Sequence, residues 1–357
     1  MTTKNWISIH IFYASNANPM LVETIEPLVN DLRERGLIRR YFFIKYFQEG
    51  PHVRLRLLLQ EGVAEEEVKR IAEEAINSYL KRRPALYSAD NEKAQAFYKD
   101  MYITEYGQEK WDEVYGAEGV MPLRQNNSLH YIDYEPEYSR YGGPEGIEVA
   151  EWHFEKSSEI VLRLIRTTNL HVRSILLGLS IQLALPLCLA FLEDEQKVRD
   201  FLFSYGKYWL DSYHKEQQGP DITATFEKKF TRVASDLQRR LAEIRGYVLQ
   251  GKTDTLTVIE REWLGHIREL KARIDGLVAS RQLIFQGRQT QGEPYIPDDP
   301  VVAYNILLSS YIHMTNNRLG VTITDEIYLS YLMRRVLEEE QKREVGAASL
   351  HPQEVIS

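Results

Sequence analysis

The side chains with the clearest capacity for chemistry lie in one short segment, residues 50–59, with the sequence GPHVRLRLLL. If this segment is a β-strand, its side chains alternate between two faces, so His52, Arg54 and Arg56 share one face. Guanidinium groups form strong, charge-assisted hydrogen bonds with carboxylates and phosphates. Three nitrogen-bearing side chains in a row therefore predict a local site for a negatively charged group.

An aromatic, β-prone segment, residues 41–47 (YFFIKYF), precedes this strand and predicts a hairpin. We expect Phe47 to pair with His52 across a short loop, which places Lys45 opposite Arg54. Like charges directly opposite each other on a sheet repel, so this pairing is favourable only with an anion between them. A solvated polar face, or arginines neutralised by acidic neighbours, explains the same pattern without a ligand; the acidic candidates are Glu135 and Glu137.

Two further segments contain candidate residues. In residues 134–143 (YEPEYSRYGG), Arg140 precedes a glycine pair at the junction between two regions of different periodicity, where loops often carry function. In residues 309–320 (SSYIHMTNNRLG), His313 and Asn317 lie one helical turn apart, so Asn317 could orient the imidazole. A structural turn and a packed histidine are the alternative explanations of these segments.

Three stretches together carry a family resemblance: FFIKYFQEGPHVRLRL, YEPEYSRYGGPEGIEVAEWHFEKSS and YIHMTNNRLG. In this order they resemble the glutamate-elimination module of class I lanthipeptide dehydratases, which also occurs as a free-standing protein in thiopeptide biosynthesis. The resemblance extends from about residue 6 to residue 335. In that family a separate module esterifies peptide Ser or Thr with glutamate from glutamyl-tRNA. The elimination module then expels the glutamate and leaves dehydroalanine or dehydrobutyrine.

The resemblance also implies which residues act. Those expected to carry out the reaction are Arg54, Arg56, Arg140 and His313. Those expected to contact the substrate are His52, Lys45, Tyr141, Asn317 and Arg318. Arginines can grip the two carboxylates of glutamate bidentately, and a histidine can exchange a proton near neutral pH. Lys45 stands where relatives have an arginine, which keeps the charge but loses the bidentate fork.

The expected activity is therefore that of a lyase that acts on a ribosomal precursor peptide, leader plus core. Because we expect the chain to be too short for the glutamylation module, a separate glutamylating protein is the expected partner. One alternative on a similar scaffold is an enzyme that joins two dehydroalanines by aza-[4+2] cycloaddition to form the thiopeptide pyridine. Another is a non-catalytic partner that binds the precursor peptide. The sequence leaves open whether the chain forms a homodimer.

Composition narrows the class of protein. The 357 residues include 44 Lys and Arg against 52 Asp and Glu, a net charge of −8, which disfavours direct nucleic-acid binding. The single cysteine, Cys188, cannot form an internal disulfide, and the N-terminus has no secretory signal, so we expect a cytoplasmic protein. Motifs for metal, nucleotide or redox cofactors are absent from the sequence, so we expect no cofactor and no metal site.

Periodicity predicts an α+β fold, with an N-terminal antiparallel sheet and packed helices followed by a larger, mostly helical region. We expect a single elimination-type domain over residues 1–345, with its α+β part at 1–141 and its helical part at 142–345. A long helical hairpin is expected near 222–283, and a disordered tail at 346–357. Residues 91–125 give no clear pattern.

One apolar segment, residues 175–192 (ILLGLSIQLALPLCLAFL), has the length of a membrane span. It contains Ser180, Gln182 and Pro186. These residues favour a helix buried within a helical layer over a membrane segment, so we expect no membrane association.

Overall fold

The structure is a computed structural model, and it describes residues 5–87, 92–213, 220–286 and 292–350. The contacts divide the chain into two compact units. The first, called here the sheet unit, consists of Met1–Tyr138, Ile147–Leu170 and Asn317–Gly320. The second, called the helical unit, consists of Ser139–Gly146, His171–Asn316 and Val321–Ser357. The single domain with parts at 1–141 and 142–345 that the sequence predicts stays a prediction.

Four antiparallel strands form the sheet, in the order β2-β3-β1-β4. They are β1 (Trp6–Phe12), β2 (Ile38–Tyr46), β3 (His52–Leu59) and β4 (Ser128–Tyr131). The two predicted strands of the hairpin are confirmed as β2 and β3, and so is the α+β class. β-branched and aromatic residues dominate β1 and β2, whereas leucine is the commonest residue of β3.

The two faces of the sheet have different characters. Ile7, Ile9 and Ile11 of β1 are almost fully buried and share one face. Helix α2 (Glu26–Glu34) and helix α3 (Glu65–Arg82) cover this face. Arg33 of α2 lies over the Tyr41 ring at 4.6 Å, for example. The opposite face bears the histidines and arginines of interest.

Helices connect the strands of the sheet unit. Helix α1 (Asn18–Met20) and a π-helical turn (Leu21–Ile25) precede α2. The residues with no clear pattern form α4 (Glu92–Tyr106) and α5 (Gln108–Tyr115). Tyr98, Tyr102 and Trp111 of these helices build a small core of their own together with Met121, which follows α5. Most of these contacts are aromatic, which explains why a simple apolar period did not reveal the helices.

The outer edge of β2 is closed by side chains. The backbone N–H groups of Tyr41, Phe43 and Lys45 point away from β3 and donate, in that order, to Glu155, Ser158 and Asn317. Helix α7 (Gly143–Thr167) supplies the first two acceptors, and the end of α12 (Pro300–Leu319) supplies the third. An exposed strand edge is a template for unwanted pairing, so these acceptors protect it.

Helix α8 (Arg173–Leu192) is the core of the helical unit. It is long and apolar enough to cross a membrane by length and composition, but 61% of its most apolar 18-residue stretch is buried within the protein. Helices α9 (Glu195–Tyr213), α10 (Pro220–Leu249) and α11 (Val258–Ala279) pack against it, as does α13 (Ile323–Leu350). The two helices of the predicted hairpin are thus present as α10 and α11. The backbone of α13 is helical into the predicted tail, and residues 351–357 lie outside the described part of the chain.

Candidate functional site

The hairpin pairs with a register that differs by one residue from the prediction. Tyr46, not Phe47, lies opposite His52, and Ile44 lies opposite Arg54. Lys45 therefore pairs with Val53 and points to the other face of the sheet. The connecting loop contains residues 47–51, one residue more than expected. Because side chains alternate between the two faces, this one-residue shift in pairing moves every side chain of β2 to the face opposite the predicted one.

The Lys45 side chain therefore has contacts of its own, away from Arg54. Its Nζ donates to Oδ1 of Asn18 at 2.9 Å, and burial lowers its pKa to about 8. Its backbone N–H and C=O both bond to the side-chain amide of Asn317, at 2.9 and 2.8 Å. The predicted cluster of Lys45 with Arg54 is therefore wrong, because the two side chains occupy opposite faces.

His52 positions Arg54. The Nδ1–H of His52 donates to the carbonyl of Gly50 at 2.8 Å, which leaves Nε2 to accept from Nε of Arg54 at 3.2 Å. Burial lowers the pKa of His52 to about 3, and the positive charges of neighbouring arginines act in the same direction. The imidazole is thus a neutral acceptor for a charged guanidinium group.

His10 makes the same kind of contact with Arg56. Nη1 of Arg56 donates to Nε2 of His10 at 3.1 Å and also bonds to the Ser8 hydroxyl. Burial lowers the pKa of His10 to about 2, with Arg56 and Arg54 as further causes. No sequence motif marks His10 as part of the site, although the alternation of β1 puts it on the same face as Ser8.

Aromatic rings border the two arginines. The guanidinium carbon of Arg54 lies 3.5 Å from the centre of the Tyr46 ring, and that of Arg56 lies 5.1 Å from the Tyr134 ring. The Tyr46 hydroxyl donates to Glu105 at 2.8 Å, and burial raises its pKa. Cation–π contacts of this kind fix the plane of a guanidinium group without neutralising its charge.

The charge of the pair is not balanced by any acid in the part of the chain that the structure describes. Within the described residues, no carboxylate forms an ion pair with Arg54 or Arg56, so neither Glu135 nor Glu137 neutralises them there. Arg56 is only 5% exposed, and burial together with the charge of Arg54 lowers its pKa to about 9, which leaves it charged at neutral pH. Buried cations without a counter-charge are costly, so this face is suited to bind an anion.

His313 lies in the helical unit, on α12. Its Nδ1 lies 2.9 Å from Oε1 of Glu326, and its ring packs against Trp209 with a centroid separation of 4.6 Å. The buried carboxylate also accepts from the Tyr205 hydroxyl. Glu326, rather than Asn317 as predicted, is therefore the partner of the imidazole. Glu326 is thirteen residues away on another helix, and no local sequence pattern reveals it.

The other predicted residues have different surroundings. Arg140 is exposed on the short helix α6 (Tyr138–Tyr141), whereas Tyr141 is 2% exposed and stacks on Tyr311 at 6.2 Å. Arg318 is fully buried, and its Nε donates to Ser158 at 3.1 Å. Tyr141 and Arg318 are thus buried side chains, and their role in substrate binding stays a prediction.

The structure brings His52, Arg54 and Arg56 together within the sheet unit, with His10 as an added member. Arg140 and His313 belong to the helical unit. Their convergence with the arginine pair on one pocket stays a prediction.

Comparisons with known proteins find three similar solved structures. The pyridine synthase TbtD from thiomuracin biosynthesis has a TM-score of 0.72 at 17% identity, over 94% of this chain and 98% of that chain. TsrL has a TM-score of 0.65 at 15% identity, over 95% and 96% of the two chains. The tRNA-dependent lantibiotic dehydratase MibB from Microbispora sp. 107891 matches at 16% identity with a TM-score of 0.48, and 29% of its length is covered.

No match is found among curated proteins. At these identities, the first two structures show that their fold is shared with this chain. The family described as "Lantibiotic biosynthesis dehydratase C-term" matches residues 6–337, which is nearly the whole chain and includes every candidate residue. The protein therefore belongs to the lantibiotic dehydratase C-terminal family.

Proposed function

We propose that this protein eliminates glutamate from glutamylated Ser or Thr residues of a ribosomal precursor peptide, leaving dehydroalanine or dehydrobutyrine. A separate, tRNA-dependent protein supplies the glutamyl ester, and both act in the cytoplasm. One observation carries the proposal. Arg54 and Arg56 are held side by side by neutral imidazoles, and no described carboxylate is paired with them.

The chemistry of the ester fits two guanidinium groups. The bound glutamyl group has one free carboxylate before the reaction. When the Cα proton is removed and the Cβ–O bond breaks, glutamate leaves with a second carboxylate. One arginine can bind the carboxylate that is already present, and the other can stabilise the charge that develops on the leaving group. An interaction that strengthens toward the transition state accelerates the reaction rather than only tightening binding.

His313 and Arg140 are two further residues to which we assign a role in the reaction. A histidine is the usual group for proton exchange near neutral pH, and His313 is the candidate for the proton of the peptide. Arg140 is an exposed cation on a short helix before the Gly142–Gly143 pair, whose φ angles of +84° favour glycine. It is proposed as a third group for carboxylate binding.

The second candidate is the cycloaddition that forms a thiopeptide pyridine. The full-length fold similarity to TbtD, described as a pyridine synthase, favours this candidate. Cycloaddition between two dehydroalanines releases no glutamate, however, and gives no reason for an unneutralised arginine pair. A non-catalytic partner could also bind an acidic peptide through the pair, so turnover decides between these two roles.

The test uses a precursor peptide that carries a glutamyl ester on a defined Ser. Incubation with the purified protein alone should release free glutamate and convert that residue to dehydroalanine, as seen by mass spectrometry. Arg54→Ala should leave the ester intact. If the folded wild-type protein leaves the ester intact but converts an already dehydrated peptide to a product with pyridine absorbance, the cycloaddition proposal replaces this one. If neither peptide changes mass but both bind, the protein is a binding partner.

A further inference from the structure

Glu326 is a buried carboxylate that the family resemblance does not single out. It is 1% exposed and lies near the start of α13. A carboxylate removed from water needs hydrogen-bond donors. Its donors are the Tyr205 hydroxyl at Oε2 and the His313 ring at Oε1. Among the described residues no Lys or Arg pairs with it, so the imidazole is its one partner that can carry a positive charge.

This contact selects one form of the imidazole. An ionised carboxylate only accepts hydrogen bonds, so Nδ1 of His313 must donate to it. In the neutral ring Nε2 then carries the lone pair. The Trp209 ring, 4.6 Å away, restricts the tilt of the imidazole. Nε2 makes no hydrogen bond with a described residue, and the His313 side chain is 23% exposed, so a substrate can reach the ring.

We infer that Glu326 is a positioning residue that holds His313 in the Nδ1–H tautomer, so that Nε2 is the atom that takes the proton of the substrate. The inference rests on the proposed elimination. Nε2 accepts the Cα proton of the glutamylated residue, and the C–H electrons form the Cα=Cβ bond. The Cβ–O bond breaks, and its electrons leave with glutamate as a carboxylate. Glu326 stays ionised and stabilises the imidazolium that forms.

The neighbouring residue offers a matched control. Asp325 is also 1% exposed and lies at the same end of α13. Its carboxylate pairs with Arg173 and bonds to the Thr322 hydroxyl and to its backbone N–H. Removal of this carboxylate therefore perturbs the same part of the fold but leaves the Glu326–His313 contact in place.

The test measures the tautomer of His313 in the ligand-free protein by nitrogen-15 NMR. The imidazole signals that are missing from the His313→Gln spectrum are assigned to His313. The wild-type protein and Asp325→Asn should show the Nδ1–H tautomer. Glu326→Gln should shift the ring toward Nε2–H, because the amide can donate as well as accept. In the elimination assay Glu326→Gln should lower kcat about 100-fold with little change in KM. Glu326→Asp keeps the charge and should therefore retain a higher kcat than Glu326→Gln. It replaces Glu326→Gln in the test if the glutamine variant fails to fold.

An Nε2–H tautomer in the wild-type protein would overturn the inference, and so would a kcat in Glu326→Gln equal to that of the wild type. The two readouts separate the inference from the proposed function. If the wild-type protein shows no elimination, the function is wrong, while the tautomer still reports whether Glu326 positions His313.

Discussion

Arg54 donates from its Nε to Nε2 of His52 across 3.2 Å, so a neutral imidazole rather than a carboxylate holds this arginine. His10 holds Arg56 in the same way. A carboxylate in either place would orient the guanidinium group equally well but would cancel its charge. The neutral partners leave the charge available for a ligand.

His52→Ala removes the acceptor for Arg54 and should weaken the binding of a glutamylated peptide. A hydrogen bond to a charged group contributes about 1.5–3 kcal/mol, which corresponds to an increase in KM of roughly 10- to 100-fold. His52→Gln offers a carbonyl acceptor, so its loss should be smaller. Steady-state kinetics measure KM, which should rise in the order wild type, His52→Gln, His52→Ala. His130→Ala is the control, because the His130 ring bonds to Ser128 and to neither arginine. Wild-type KM in His52→Ala would refute the role of His52.

The two histidines should make folding sensitive to acid. Burial lowers the pKa of His10 to about 2 and that of His52 to about 3, from an ordinary 6.5. Below pH 6.5 the unfolded chain therefore binds protons that the folded chain does not, and the free energy of unfolding falls as the pH decreases toward about 3. Each ring contributes at most about 1.4 kcal/mol per pH unit.

Urea denaturation at about pH 7 and about pH 5 measures this effect. The wild-type protein should lose roughly 4 kcal/mol more between these values, about 2 kcal/mol for each ring, than the double variant His10→Gln/His52→Gln, which cannot take up these protons. Equal losses in the two proteins would show that the imidazoles are not buried in the neutral form.

Lys45→Met should leave the affinity for a glutamylated peptide within about twofold of the wild type, because Lys45 lies on the face of the sheet opposite Arg54. Isothermal titration calorimetry measures this affinity, and the inactive His313→Ala background prevents turnover of the peptide during the titration. Arg54→Met in the same background provides the contrast and should bind much more weakly. A tenfold or greater loss of affinity in Lys45→Met would show that Lys45 contributes to peptide binding.

Asn317→Ala should lower the free energy of unfolding by about 2 kcal/mol, because the amide makes two hydrogen bonds with the backbone of Lys45 at the edge of the sheet. Asn317→Asp keeps the acceptor and loses the donor, so it should also destabilise. Ser309→Ala, whose hydroxyl bonds within α12, is the control and should change stability little. Wild-type stability with reduced turnover would instead support the predicted role of Asn317 beside His313.

The strands and the charged face of β3 follow from the sequence because a period of two is a direct consequence of strand geometry. The pairing register of β2 and β3 does not follow from the sequence. Glu49 and Gly50 both adopt positive φ, 61° and 115°, in a loop one residue longer than the pattern suggested. Pattern alone cannot decide between loops of four and five residues, and the difference moves Lys45 to the other face.

The partners of the site residues were harder to predict. The sequence placed His10 in an alternating pattern but did not show that its ring is buried and neutral, or that it bonds to Arg56 across the sheet. Glu326 reaches His313 from a different helix, so only tertiary packing reveals the contact. Tyr141 and Arg318 lie in motifs that carry the family resemblance, yet both are buried, and a motif does not distinguish a packed residue from a ligand-binding one.

The central claim, that Arg54 and Arg56 bind the glutamyl group, is tested most directly with a peptide in which a stable amide replaces the glutamyl ester. Isothermal titration should show that the glutamyl peptide binds the wild-type protein at least about tenfold more tightly than the same peptide without glutamate. This difference should disappear in Arg54→Gln/Arg56→Gln and persist in the control Arg39→Gln, an exposed arginine of the same sheet. Equal affinity of the wild-type protein for both peptides, or a difference that survives in the double variant, would contradict the account.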